Sequence, residues 1–453
     1  MATVSEMFER ARIAQAEFEL RADQSLTDAA VRRIGRVVYD LAEELARMAV
    51  DESGIGVYED KVVKNRGKSK SIWNSLKGKK SYGIIEENKE TGIIKIAKPM
   101  GVVGAVTPIT NPIVTPMCNA MFALKGKNAI IIAPHPKVKN VNKYLVGLFR
   151  KELESLGLPG DLIQTVESPT MDDTNMVMRL ADVVVATGGG AMVKAAYSSG
   201  KPALGVGPGN VQVIFDRGID YNEAAKKVIA GRVFDNGIIC TGEQCAIIPA
   251  DDYDRAIEAF RASGAYYIDD PADVDKFAKA LFSEDSFNRA AVGQGVQKLG
   301  ELAGVSVPDR TKMILLKARG VGTADILCKE KMCPVMIALP YGTFDEAIRI
   351  AHDNLLVEGI GHSCSIHSNN MDNIRKAGEK LPISRLTVNQ PSSTSTGGSL
   401  YNGFAPTTTL GCGSWGNNSI SENLDYKHLI NISQIGLFNK DAKIPTDEEI
   451  WGE

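Results

Sequence analysis

One cysteine of the seven stands in a setting that suits covalent chemistry. Cys240 lies in Phe234-Asp-Asn-Gly-Ile-Ile-Cys240-Thr-Gly-Glu-Gln, with a glycine three residues before it and another two after it. The backbone can therefore turn closely around the sulfur. A cysteine nucleophile reacts as the thiolate, and a free thiol has a pKa of about 8.5, so backbone N–H groups or a helix start beside it would have to lower that value. The default for a cysteine is a buried packing residue. Cys118, Cys328, Cys333, Cys364 and Cys412 keep that default, and Cys245, five residues past Cys240, reads as a support of its loop.

Four other segments carry usable groups. Gly188-Gly189-Gly190 follows an apolar run, and glycines between a strand and a helix turn backbone N–H groups toward an anion such as a pyrophosphate. The run is not GxGxxG and no acidic residue follows at the end of a second strand, so a tight structural turn explains it equally well. In Thr107-Pro-Ile-Thr-Asn-Pro-Ile-Val-Thr-Pro116, three prolines exclude a regular helix or central strand. They present Thr110 and Asn111 on a rigid loop, where a hydroxyl or amide can donate to a developing oxyanion; a plain turn is the alternative. Gly205-Val-Gly-Pro-Gly-Asn210 brings the backbone close to a neighbour, and Glu330 stands just before an apolar strand. Of the five histidines, His352 and His428 fall in helical patterns, whereas His135 and His362 sit on loops or strand edges.

These segments need elements to hold them. Met7, Ala11, Ala14 and Phe18, then Val31, Ile34, Val38, Leu41 and Leu45, recur at helical steps and predict a helical layer over residues 1–80. Within it the basic, glycine-containing stretch Asn65–Lys70 reads as a solvated loop. Residues 82–98 predict a hairpin. Strands are then expected at Val102–Thr107, Ala129–Ala133, Leu162–Val166 and Ala181–Thr187, with helices between them, which argues for a parallel sheet. A second alternating block starts near Val233, with strands Met313–Lys317, Pro334–Leu339, Gly361–Ile366 and Arg385–Asn389. The polar stretch Ser392–Asn418 is too long for a plain linker and reads as a functional loop.

Composition narrows the partners. Lys plus Arg number 52 and Asp plus Glu 55, a formal charge of −3, which gives nucleic acid and anionic membranes no electrostatic basis as main partners. Glu6 and Glu9 stand where a secretory signal needs an apolar run, and nothing approaches the ~18 apolar residues of a membrane span. Odd, widely spaced cysteines argue for a reducing cytoplasm. No pair has CxxC spacing, and Cys328 and Cys333 have no nearby histidine, so no metal is expected.

Taken in order, the loop 108–112, the turn Ala186-Thr-Gly-Gly189, the glycine loop 205–209, Asn236-Gly237 before Cys240, and Glu330 followed by Pro334-Val335 resemble the aldehyde dehydrogenase superfamily over almost the whole chain. Thr107-Pro-Ile-Thr-Asn-Pro112, Ala196-Tyr-Ser-Ser-Gly-Lys201, Asp235-Asn-Gly-Ile-Ile-Cys240 and Thr407-Thr-Thr-Leu-Gly-Cys-Gly-Ser-Trp415 are similar to its CoA-acylating branch. The resemblance implies an α/β fold of two parallel-sheet domains plus a small β oligomerisation arm. The expected division is a cofactor-binding domain in 1–232, interrupted by the arm at about 82–98, a catalytic domain in 233–412, and an oligomerisation strand and tail in 413–453. It implies NAD or NADP as cofactor, coenzyme A as co-substrate, and a homodimer or dimer of dimers.

The same resemblance implies roles. Cys240 is the nucleophile, and its backbone N–H with Thr110 or Asn111 stabilises the oxyanion; aligning the prolines favours Thr110, amide chemistry favours Asn111. Ile109, Pro134, His135, Thr187, Gly188, Gly189, Gly207 and Glu330 fall at cofactor positions. His362 would assist proton transfer at the CoA thiol, with a structural strand histidine as the alternative. Where hydrolytic relatives carry a water-activating Glu, this chain has Gly205-Val206-Gly207, so a thioacyl enzyme would persist until the CoA thiol takes it. Ala133-Pro-His-Pro136 replaces their ribose-binding Lys and Glu, which leaves NAD and NADP both open. Overall likeness implies succinyl-CoA and succinate semialdehyde as substrates, with Arg385 a candidate by charge for the distal carboxylate. Acetaldehyde or butyraldehyde is the alternative substrate, and a fold-retaining assembly module the non-enzymatic alternative.

Overall fold

The computed structural model describes residues 2–284 and 286–452. Four helices open the chain: α1 (Val4–Arg21), α2 (Gln24–Asp40), α3 (Ala42–Ser53) and α4 (Tyr58–Leu76). The expected helical layer is present, with Met7, Ala11, Ala14 and Phe18 buried on one face of α1. The expected loop at Asn65–Lys70 is not a loop but the middle of α4. Asn65 is buried and donates Nδ2 to Ala42 O at 3.1 Å, while a Cβ on Gly67 would meet nothing within 4 Å. One helical glycine costs about 1 kcal/mol relative to alanine, and packing of the flanking turns outweighs it.

The hairpin follows as β1 (Gly83–Asn88) and β2 (Ile93–Pro99), antiparallel. Next come β3 (Val102–Thr107), helix α5 (Val114–Lys125), β4 (Ala129–Pro134), β5 (Ile163–Thr165), β6 (Val183–Thr187) and β7 (Ala203–Val206). These five strands, β3 to β7, form a parallel sheet in the order β5-β4-β3-β6-β7. Their apolar runs are buried on both faces, as a sheet covered by helices on both sides requires.

The chain then enters a second sheet. Its strands are β8 (Val211–Phe215), β9 (Glu243–Pro249) and β10 (Ala265–Ile268); the small pair β11 (Phe282–Ser283) and β12 (Ser286–Phe287) stands apart; β13 (Met313–Lys317), β14 (Val335–Tyr341), β15 (Cys364–His367) and β16 (Leu386–Val388) complete it. The order is β10-β13-β14-β9-β8-β15-β16, all parallel. The change of sheet falls at Gly207–Asn210, so β8 belongs to the second sheet although the expected boundary at 232/233 put it with the first. Apolar patterning does not mark β9 because that strand opens on Glu243-Gln244. Finally β17 (Ile430–Gly436) adds to β2 along its full length, making a three-stranded antiparallel arm. Among the described residues no helix is long and apolar enough to cross a membrane.

Candidate active site

The expected site residues come from two sets of strand ends. At the carboxyl ends of the first sheet, β3 runs into Pro108–Pro112, β4 into His135, β6 into Gly188–Gly190 and β7 into Gly207. At the amino ends of the second, Asn210 precedes β8, Cys240 β9, Glu330 β14, His362 β15 and Arg385 β16, all adjacent strands. Because β7 passes directly into β8, the two sets meet: Val206, Leu410 and Cys412 pack together against Cys240.

Cys240 follows a kink. Helix Tyr221–Val233 stops, and Asp235, Asn236 and Gly237 take φ values of 52°, 52° and 69°, a region that non-glycine residues rarely occupy. A Cβ on Gly237 would lie 2.7 Å from the Cys333 carbonyl. Asn236 Nδ2 donates to Gly293 O at 2.9 Å, and the Gly242 N–H donates to Ile239 O at 2.8 Å, closing the turn before β9. The thiol is half-buried. Burial, then the charges of Glu330 and Cys412, push it up to about 12 against the opposing pull of Arg385 and of its own backbone N–H. A Cβ on Gly209 would overlap the Cys240 carbonyl, so the glycine loop lies directly on the Cys240 turn. The sulfur beside Cys240 is Cys412; Cys245, expected there from its spacing, packs instead in the core of the second sheet.

Asp235, fully buried, ties α4 to this turn. Its Oδ2 accepts from Lys61 Nζ at 3.0 Å and Lys64 Nζ at 2.5 Å, and its Oδ1 from the Val57 N–H at 2.8 Å. Burial pushes the Asp235 carboxyl up, but Lys64 and Lys61 outweigh it and hold the group below the ordinary carboxylate value. Lys64 Nζ also donates to Asn111 Oδ1 at 2.7 Å. An ammonium only donates, so the atom facing it is the amide oxygen, which leaves Asn111 Nδ2 to donate elsewhere. Thr110 is buried and lines the same small cavity as Lys61 and Lys64. One turn on, Lys68 Nζ donates to Gly397 O at 2.8 Å and Thr407 O at 3.2 Å. Sequence reasoning missed all four charged residues. The signal was the spacing 61, 64, 68, one face of a helix, hidden once 65–70 was read as a loop.

Glu330 Oε1 accepts from the Gly209 N–H at 3.2 Å, and its own N–H donates to Glu358 Oε2 at 2.8 Å. Burial, then the Glu358 charge, push its carboxyl up to about 8. Asn210 steadies this loop by donating Nδ2 to Cys328 O at 2.8 Å and Glu358 O at 3.1 Å. His362 is fully buried; Nδ1 shares a 2.8 Å hydrogen bond with Ser363 Oγ, and Nε2 has no partner among the described residues. Burial, then Arg385, push the imidazole down to about 3, so it is neutral at physiological pH. Arg385, the candidate for a substrate carboxylate, has both Nη atoms engaged and its Nε without a partner among the described residues. Its Nη2 donates to His362 O at 2.8 Å and Gly411 O at 2.6 Å, and its Nη1 to Asn423 Oδ1 at 3.2 Å. It braces the start of β16 against the loop 411–423.

Ile109, Pro134, His135, Thr187, Gly188 and Gly189 stand at the carboxyl ends of β3, β4 and β6, where the strand order reverses and open α/β sheets bind ligands. A Cβ on Gly189 or Gly190 would meet nothing within 4 Å. Helix Gly190–Tyr197 opens without a side-chain cap, so its first N–H groups are left to an outside acceptor. This arrangement suits the diphosphate of a dinucleotide. Thr187 Oγ1 pairs with Thr409 Oγ1 at 2.8 Å, and His135 Nδ1 accepts from the Lys137 N–H at 3.2 Å. Among the described residues no group of three or more His, Cys, Asp or Glu could hold a metal ion.

Comparison with known proteins agrees with this geometry. The family model "Aldehyde dehydrogenase family" matches residues 1–429. The chain is 56% identical over 450 residues to the succinate-semialdehyde dehydrogenase (acetylating) of Clostridium kluyveri, covering 99% of each chain. Its fold matches an acetylating aldehyde dehydrogenase from Geobacillus thermoglucosidasius with a TM-score of 0.93 at 33% identity, covering 98% of both chains. It also matches the propionaldehyde dehydrogenase of Rhodopseudomonas palustris solved with bound propionyl-CoA, with a TM-score of 0.87 at 29% identity over 96% of this chain and 94% of that one.

Proposed function

The chain belongs to the aldehyde dehydrogenase family and is an oxidoreductase acting on aldehydes; from that premise we propose that it interconverts succinyl-CoA and NAD(P)H with succinate semialdehyde, CoA and NAD(P)+ through a thioester on Cys240. The observation that carries this reading is the glycine loop lying on the Cys240 turn. No carboxylate stands on that loop to activate water, and Glu330 Oε1 is engaged by the Gly209 N–H. The acyl group therefore waits for a thiol.

In the reductive direction the Cys240 sulfur attacks the acyl carbonyl, the bond to the CoA sulfur breaks, and CoA leaves as the thiol. The proton released by Cys240 balances the one CoA takes up. His362, neutral and with Nε2 unpartnered among the described residues, is the group we assign to passing that proton on without storing it. The oxyanion is met by the Cys240 N–H and by Asn111 Nδ2, oriented by Lys64; Thr110 supports the loop. A bound reduced nicotinamide would supply the hydride for the acyl carbon; the chain's part is to hold the acyl group on Cys240 and to take the sulfur back as the leaving group when the aldehyde is released. Thr187, Gly188, Gly189 and Gly207 leave room for the cofactor diphosphate, and Glu330 is placed for the nicotinamide ribose. No carboxylate stands at Ala133–Pro136 to repel a 2′-phosphate, so both NAD and NADP fit. The arm built from β1, β2 and β17 would pair two copies, and seven free thiols fit a cytoplasmic home.

The test is a panel of succinyl-, acetyl- and butyryl-CoA with NADH and NADPH, with mass spectrometry of the enzyme mixed with acyl donor alone. A succinyl adduct on Cys240, lost with all CoA-dependent turnover in Cys240→Ala, is expected. Rapid release of free acid without CoA, or absence of the adduct, would overturn the reading; a preference for acetyl- or butyryl-CoA would replace only the substrate.

A further inference from the structure

Three lysines lie on one face of α4, and they differ in what neutralises them. Lys61 and Lys64 share the carboxylate of Asp235. Among the described residues Lys68 has no carboxylate partner: its Nζ is held by the carbonyls of Gly397, Thr407 and, at 3.5 Å, Gly398. Carbonyl dipoles orient an ammonium and replace part of its hydration, but they leave its charge uncompensated. Lys64, one turn earlier on the same face, bonds Asp235 of the Cys240 turn and Asn111, and Lys68 itself interacts electrostatically with Cys118, Cys240 and Lys64, so this charge lies beside the Cys240 site. Cys118 lies on α5, the helix that follows the Thr110-Asn111 loop, and its polar neighbours are Thr407 and Thr408. One side of the Cys240 site is therefore bounded by α4, α5 and the 397–408 segment, with a single unmatched cation in it.

We propose that Lys68 receives the distal carboxylate of the acyl group carried by Cys240, and so selects a dicarboxylic acyl chain over a neutral one. This rests on the thioester reading above. Lys61 and Lys64 are already neutralised by Asp235; Arg385, like Lys68, meets only neutral acceptors, but His362 O, Gly411 O and Asn423 Oδ1 take both its Nη atoms and fix it as a brace at the start of β16. A carboxylate brought to Lys68 would take the donor now spent on the 3.5 Å contact with Gly398 O and replace it with a charge-assisted hydrogen bond. Burial, with the Lys64 ammonium adding to it against the opposing pull of Cys118 and Cys240, lowers the Lys68 ammonium to about 8, and an arriving anion would raise it again.

Two substrates of equal chain length test this. Succinyl-CoA ends in a carboxylate where butyryl-CoA ends in a methyl group. In Lys68→Met the ratio of kcat/KM for succinyl-CoA to that for butyryl-CoA falls about 10–100-fold, mainly through KM, and Lys68→Arg restores part of it. Equal losses on both substrates would mean that Lys68 only anchors the 397–407 segment, and an unchanged ratio would place the carboxylate elsewhere; either overturns the assignment while leaving the thioester reading intact. If the unaltered enzyme reduces neither CoA ester with either cofactor, the parent reading fails and this one with it.

Discussion

The resting sulfur of Cys240 is a thiol, and that shapes its reactivity. Burial and the neighbouring Glu330 carboxyl both disfavour the thiolate, so little of it exists at neutral pH until substrate and cofactor change the surroundings. A raised thiol pKa gives a thiolate fraction that climbs with pH and does not level off below that value. Alkylation of Cys240 by iodoacetamide in the free enzyme should therefore accelerate about tenfold per pH unit between pH 7 and pH 10. Peptide mapping resolves it from the six other cysteines, all buried. A plateau near pH 8 would show an ordinary thiol and contradict the part assigned to burial.

At the scale of elements, α4 couples the parts of the site. It reaches the cysteine turn through Asp235, the proline-bracketed loop through Lys64 and Asn111, and the 397–407 segment through Lys68. Lys64 orients the Asn111 amide and also shares Asp235 with Lys61, so it bears on both the oxyanion loop and the cysteine turn. Asn111→Ala should lower kcat by about 10²–10³-fold, the cost of losing one oxyanion donor, and Thr110→Val by less than tenfold. Lys64→Met should cost at least as much as Asn111→Ala, and the double variant should lose less than the two single losses combined, because they share one interaction. Additive losses, or a larger effect at Thr110, would return the donor role to the threonine.

For the whole molecule, the arm is the part left unfinished in one chain. β17 covers β2, yet Ile432 and Ile435 remain 44% exposed and Phe438 92% exposed, a run of apolar surface that a soluble protein normally covers. A second copy seated there would bury it. Paired Ile435→Asp and Phe438→Asp changes should shift the sedimentation coefficient to that of a single 48.8 kDa chain while the circular dichroism spectrum is retained. A variant that sediments like the unaltered protein would move the subunit contact elsewhere.

The sequence by itself determined what depends on local backbone chemistry. The glycines around Cys240, the prolines around Thr110 and Asn111, and the strand-then-glycine run at Thr187–Gly190 each mark a turn whose cause lies within a few residues, and their order along the chain carried the family. The tertiary structure alone decided which charges meet. Asp235 finds Lys61 and Lys64 from more than 170 positions away, Lys68 finds the 397–407 carbonyls from still farther, and Arg385 meets two backbone carbonyls and the Asn423 amide oxygen. Helical burial of a stretch as polar as 65–70 is likewise a product of packing. A lysine's neighbours are set by how sheets and helices stack, and no periodicity in the chain encodes whether a carboxylate or only a carbonyl will be waiting there.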